Sequence, residues 1–171
     1  MLAKKRHPVI FTVNILLFFA VILFGGNSII DISIKNATPL LLLPMLTAFS
    51  IFNSVKSSAA AGFISGALLD STSSGTYCFN TIFLMVLSVS VSLAANNLFN
   101  KNIRAAAALS LITSFIYYII YWLIFMTFGV EIQNSLIYLS EYGLPSAVYS
   151  AVFIFPFYFL YKCFSKIKGT N

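Results

Sequence analysis

Charge is scarce in this sequence: 8% of its 171 residues are charged, where a soluble domain carries about a quarter. Four acids, Asp31, Asp70, Glu131 and Glu141, are all it has of negative sign. A soluble surface cannot be built from that. There is one histidine, His7, and there are two cysteines, Cys78 and Cys163. These are too few for a metal site, which needs several converging His, Cys or carboxylate ligands, and too few for a disulfide framework. The same shortage weighs against catalysis, since no nucleophile stands with a base and an orienting group. No catalytic, cofactor-binding or metal-binding residue is therefore expected. Nor do the basic residues gather into the single patch or stripe of a nucleic-acid binder.

What the chain has is apolar length. The hydrophobic set makes up 60% of it, and a helical span needs about 20 mostly apolar residues. Pro8 to Phe24, Tyr77 to Ala95 and Ala105 to Phe128 meet this, and Leu144 to Phe164 does so if Pro156 is a kink, which membrane helices tolerate. Two shorter stretches, Ala37 to Phe52 and Ala59 to Leu69, flank the polar run Asn53 to Ser58. The basic start and apolar stretch suggest a signal peptide, but Gly25, Gly26, Asn27 and Ser28 follow in place of a small-x-small cleavage site. The stretch therefore reads as an uncleaved first span.

Charge placement decides the count. With six spans and a cytoplasmic N-terminus, Lys4, Lys5, Arg6, Lys56, Lys101, Arg104, Lys162, Lys166 and Lys168 fall inside and Lys35 alone outside, as the positive-inside rule asks. All four acids then fall outside. Dropping both short stretches together, as a re-entrant hairpin, keeps this parity. Lys56 opposes it, because a hairpin tip would hold its ammonium at membrane depth for roughly several kcal/mol. The expectation is one all-α membrane domain of six transmembrane helices with both termini cytoplasmic. The basic clusters serve as anchors drawn to anionic headgroups by about 1 kcal/mol each.

Two polar patterns stand out. Ser58, Gly62, Gly66 and Asp70 recur every four residues on one face of the third predicted span, ahead of the hydroxyl-rich run Ser71 to Ser74 and Gly75. Small residues at that spacing let two helix backbones approach, within the chain or against a partner. Asp70 either caps backbone N–H groups of the turn or receives a partner's basic side chain. On the fourth predicted span Thr81, Ser88, Ser92 and Asn96 form a stripe expected to hydrogen-bond neighbouring helices. Tyr117, Tyr118, Tyr121 and Trp122 sit near the middle of the fifth, so their polar tips need partners inside the bundle or on another protein.

The stretch Gly62-Phe63-Ile64-Ser65-Gly66-Ala67-Leu68-Leu69-Asp70, with Gly75 and the leucine run after Thr38-Pro39 with its second proline, Pro44, resembles the MreD family of bacterial rod-shape-determining proteins. The resemblance implies a non-catalytic scaffold subunit in the cytoplasmic membrane, part of the complex that builds the lateral cell wall. Its implied partners are an MreC-like single-span protein and, directly or through it, MreB, RodA and a class B penicillin-binding transpeptidase. The family is similar in fold to the substrate-binding subunits of energy-coupling-factor vitamin transporters, which supplies an alternative: a small-solute-binding membrane subunit with Asn80, Thr81, Gln133, Asn134 and Glu141 at its site. Such subunits dock through an Ala-x-x-x-Ala-like face on the first helix, whereas Val9 to Phe24 has one alanine, Ala20.

Overall fold

The computed structural model describes residues 40–73, 78–97, 102–126 and 139–168, and all their regular elements are helical. The first predicted span with Lys4, Lys5 and Arg6, together with Gly75 and Lys101, lies outside the described residues.

Leu42–Phe52 forms α1. Pro44 falls in its first turn, where a missing N–H has no intrahelical acceptor to disappoint. Every residue from Leu42 to Ile51 is buried, as expected of a helix that is apolar on all sides. At 11 residues the helix is about 16 Å long, shorter than a hydrocarbon core of about 30 Å. Asn53 ends it by turning extended (φ −119°, ψ 166°), and its Nδ2 donates to the Phe49 carbonyl at 2.9 Å.

The next helix, α2, is Val55–Thr72. It begins earlier than the apolar pattern suggests: Asn53 to Ser58 reads as a connector, yet Lys56 lies in the first helical turn. The reason is that Ser54 adopts the extended conformation of an N-cap residue and the Ser57 hydroxyl returns a bond to the Ser54 carbonyl at 3.1 Å. Serines satisfied locally in this way need not break a helix. At the other end Ser71 and Thr72 donate to the carbonyls of Leu68 and Leu69 at 2.7 and 2.9 Å.

Two further long helices follow, and then a broken third stretch. Phe79–Asn97 is α3 and Ile103–Tyr121 is α4, which continues through the wider π turns of Trp122–Met126. The π turns of Leu139–Gly143 lead into α5, Leu144–Val152, and after a break at Phe153 comes α6, Ile154–Lys168. Pro156 accounts for the break. It has no N–H for the carbonyl of Val152 and its ring crowds that carbonyl; at the break the chain tightens, with Phe153 N–H bonded to Ser150 O at 3.2 Å. Phe79–Asn97, Ile103–Phe125 and Leu139–Ser165 are long and apolar enough to cross a membrane.

The helices pack around α1, which touches each of the other five. Phe49 and Phe52 meet Tyr161 and Tyr158 of α6 with ring centroids 5.6 and 5.2 Å apart. Leu40 N–H donates to Ser150 Oγ at 2.9 Å, tying the start of α1 to α5.

Candidate functional site

The two polar patterns meet each other. Helices α2 and α3 run antiparallel, and their register can be read off rung by rung. Ser92 Oγ donates to the carbonyl of Asn53 at 3.2 Å, and Ser88 Oγ to that of Ser58 at 2.9 Å. Between and beyond these rungs the glycines set the spacing. A Cβ on Gly66 would stand 2.5 Å from both Asn80 O and Thr81 Cα, and one on Gly62 would meet Ser88 Oγ, Leu84 O and Met85 Cα. Any side chain there collides with backbone, which cannot swing aside. The small-residue face is thus occupied by α3 of the same chain.

Asp70 closes the seam. Its Oδ1 accepts from the backbone N–H and Nδ2 of Asn80 at 3.2 and 2.9 Å, and its Oδ2 from the backbone N–H and Oγ1 of Thr81 at 2.8 and 2.6 Å. Asn80 and Thr81 lie in the first turn of α3, whose amides have no intrahelical acceptors, and a carboxylate there also meets the positive end of the helix dipole. A residue of α2 therefore caps α3. Cys78 enters that helix with φ 64°, a left-handed conformation uncommon outside glycine. Asn80 in turn accepts from the Tyr117 hydroxyl at 2.8 Å, which brings α4 into the network.

The sequence pattern sets Tyr117 near mid-span, whereas its hydroxyl reaches the first turn of α3 and so lies toward one end of the bundle. Around it Phe79, Phe83, Tyr118, Tyr121 and Phe125 form an aromatic cluster. Asn80 and Thr81, candidates for a solute site, are buried in the capping network. Glu141 is exposed in the π turns, and Gln133 and Asn134 lie outside the described residues. Asn96 is exposed and approaches Ser92 Oγ only at 3.5 Å. Among the described residues no group of three or more His, Cys, Asp or Glu could hold a metal ion.

A second polar layer lies deeper in the bundle, between α1, α4 and α5. Thr47 of α1 and Thr113 of α4 share a hydrogen bond at 3.3 Å, and Ser50, Ser110, Ser114, Ser146 and Ser150 are also buried. The signal was available on α4, where Ser110, Thr113, Ser114 and Tyr117 follow helical spacing. On α1 there was none, because Thr47 and Ser50 are isolated among leucines and aromatics.

The antiparallel seam also sorts the charges. Lys56 opens α2 and Asp70 closes it, so these two stand at opposite ends. Ile103 begins α4 just after α3 ends, which sets Arg104 at the Lys56 end. Lys162 of α6 shares a cleft with Arg104, while Glu141 lies at the far end of the same long helical stretch. Lys166 and Lys168 belong to the last turns of α6.

Residues 6–167 match the family described as rod shape-determining protein MreD. No curated protein and no solved structure matches the chain.

Proposed function

The chain belongs to the MreD family, whose role is in determining rod shape, and from that premise we propose that it is a non-catalytic scaffold subunit of the complex that elongates the lateral cell wall. The match over residues 6–167 carries this reading. In the proposed arrangement six spans cross the cytoplasmic membrane in the manner of an energy-coupling-factor binding subunit: the predicted first span Pro8 to Phe24, α1, α2, α3, α4, and α5 with α6 as one. The Lys56, Arg104 and Lys162 end faces the cytoplasm, and the Asp70 and Glu141 end faces outward. The charge polarity of the helices supports that orientation through the positive-inside rule.

A scaffold needs a rigid frame and apolar surface that a partner helix can cover. The seam supplies the frame. Exposed apolar residues on α3, among them Ile82, Val86 and Leu93, and on α4, among them Ile112, Ile116 and Ile119, offer such surface to lipid or to a partner. The proposed partner is an MreC-like single-span protein, with MreB, RodA and a class B transpeptidase reached directly or through it. Because Gly62 and Gly66 are covered by α3, a partner helix would bind elsewhere. No finding favours the solute-binding alternative.

Depletion tests the proposal. Rod-shaped cells should become round, and the chain should co-purify with a single-span membrane protein. Normal shape on depletion, together with a small solute retained by the purified chain, would overturn it.

A further inference from the structure

Near the Lys56 end, the start of α4 and the middle of α6 enclose an open cleft of about 360 Å³, lined by Asn102, Ile103, Arg104, Tyr158, Phe159 and Lys162. Arg104 and Lys162 are both exposed, and the acids among the described residues, Asp70 and Glu141, stand at the opposite end. The cleft is thus a concentration of positive charge with no carboxylate of the described residues beside it. The Lys162 ammonium lies 5.8 Å from the centroid of the buried Tyr158 ring, close enough for a cation–π contact that holds it against the wall. The guanidinium of Arg104 offers the planar fork that suits phosphate oxygens.

The start of α4 adds to this. Asn102 makes no side-chain cap, and the first turn of α4, which carries the positive end of its helix dipole, lines the cleft through Asn102, Ile103 and Arg104. Its walls are also amphipathic. Exposed Ala108 and Ile112 continue the Arg104 face along α4 at four-residue spacing, and exposed Phe155 continues the Phe159 face along α6. Two apolar tracks therefore run from a cationic cleft toward the middle of the bundle.

We propose that this cleft binds the headgroup of one anionic phospholipid, its phosphate between Arg104 and Lys162 and its acyl chains along the α4 and α6 tracks. An acidic peptide would satisfy the charges and leave the tracks unused; a free phosphate would do the same. The proposal rests on the membrane embedding given under Proposed function and not on the scaffold role or its partners.

Native mass spectrometry of the full-length protein in detergent tests it, with phosphatidylglycerol, phosphatidylcholine and inorganic phosphate as probes. Phosphatidylglycerol should be retained at one molecule per chain, in preference to phosphatidylcholine. The double variant R104A/K162A should weaken retention roughly thirty-fold, equivalent to about 2 kcal/mol, with its thermal unfolding unchanged. R104K/K162R should restore most of it. K56A, which removes an exposed cation of the same end that does not line the cleft, should bind as the parent does. Equal loss in K56A would reduce the effect to general surface charge and overturn the proposal. So would equal retention of phosphatidylcholine, or displacement of the lipid by millimolar phosphate or by a short acidic peptide. Failure here leaves the scaffold reading standing, because that reading is read out by cell shape and co-purification.

Discussion

Helices α1 and α2 are consecutive, separated by Asn53 and Ser54, and they are held in the bundle by opposite means. Large apolar side chains surround α1 on all sides: Leu42, Leu43, Met45, Leu46, Phe49 and Ile51 are all buried. In α2 the buried residues are Ser58, Ala61, Gly62, Ser65 and Gly66, one stripe with almost no side-chain volume. In water the first would dominate, since burial of apolar area drives folding. In a bilayer lipid is as apolar as leucine, and helix association depends on close packing and interhelical hydrogen bonds. The α2–α3 seam has both. The contrast suggests that α1 fills space while α2 fixes register, and each half of that statement can be attacked.

The largest effect should come from Gly66→Leu. Its Cβ already falls within 2.5 Å of the α3 backbone, so the helices must separate, at roughly 3 kcal/mol or more, the upper part of the usual overpacking range. The melting temperature in detergent should fall sharply whether or not a partner is bound. A stable monomer that loses only its partner would move the glycine face from the interior to an interface.

Asp70→Ala comes next. It uncaps α3 and removes four accepted hydrogen bonds; a lost cap costs about 1 kcal/mol and hydrogen bonds to a charged group more, so about 2 to 3 kcal/mol is expected. Asp70→Asn, which keeps an acceptor, should recover part of this. Hydrogen exchange should speed up selectively in the first turn of α3. Uniform acceleration over the whole chain would mean that Asp70 supports more than the cap.

Leu46→Ala probes the other helix. Leu46 is fully buried, and in water such a truncation costs about 2 to 5 kcal/mol. Lipid or detergent removes much of the transfer contribution, leaving a packing loss of about 2 kcal/mol. If chemical denaturation in detergent shows Leu46→Ala to be worse than Gly66→Leu, the comparison above is reversed.

Ser88→Ala is the finest cut. It deletes the rung to the Ser58 carbonyl and leaves space that Gly62 can tolerate, for about 0.6 kcal/mol. Combining it with Ser92→Ala should give nearly additive losses if the rungs act independently, which paired unfolding curves would reveal.

Much of the fold was legible. Long apolar runs mark α3, α4 and the Leu139–Ser165 stretch because a lipid-facing helix must be apolar over its whole length. Pro156 marks its own break. The start of α2 was not legible, since a serine in a loop and a serine bonded back to its own helix look alike in sequence. The network around Asp70 was also hidden: Asn80 is ten residues away in the chain, and Tyr117, which bonds to Asn80, lies on another helix. Four-residue spacing put the glycines on one face without saying what covers that face.

By itself the sequence determined that this chain is helical, with runs long and apolar enough to cross a membrane, and its charge pattern anticipated that Lys56, Arg104 and Lys162 stand at the opposite end from Asp70 and Glu141 among the described residues. These follow from composition and period, which act residue by residue. Only the tertiary structure decided that the glycine face and the serine stripe are two sides of one seam, that Asp70 caps a helix other than its own, and that Arg104 and Lys162 share a cleft. Each of those depends on the register between helices distant in sequence, and register is set by backbone approach and hydrogen-bond pairing that no single helix encodes.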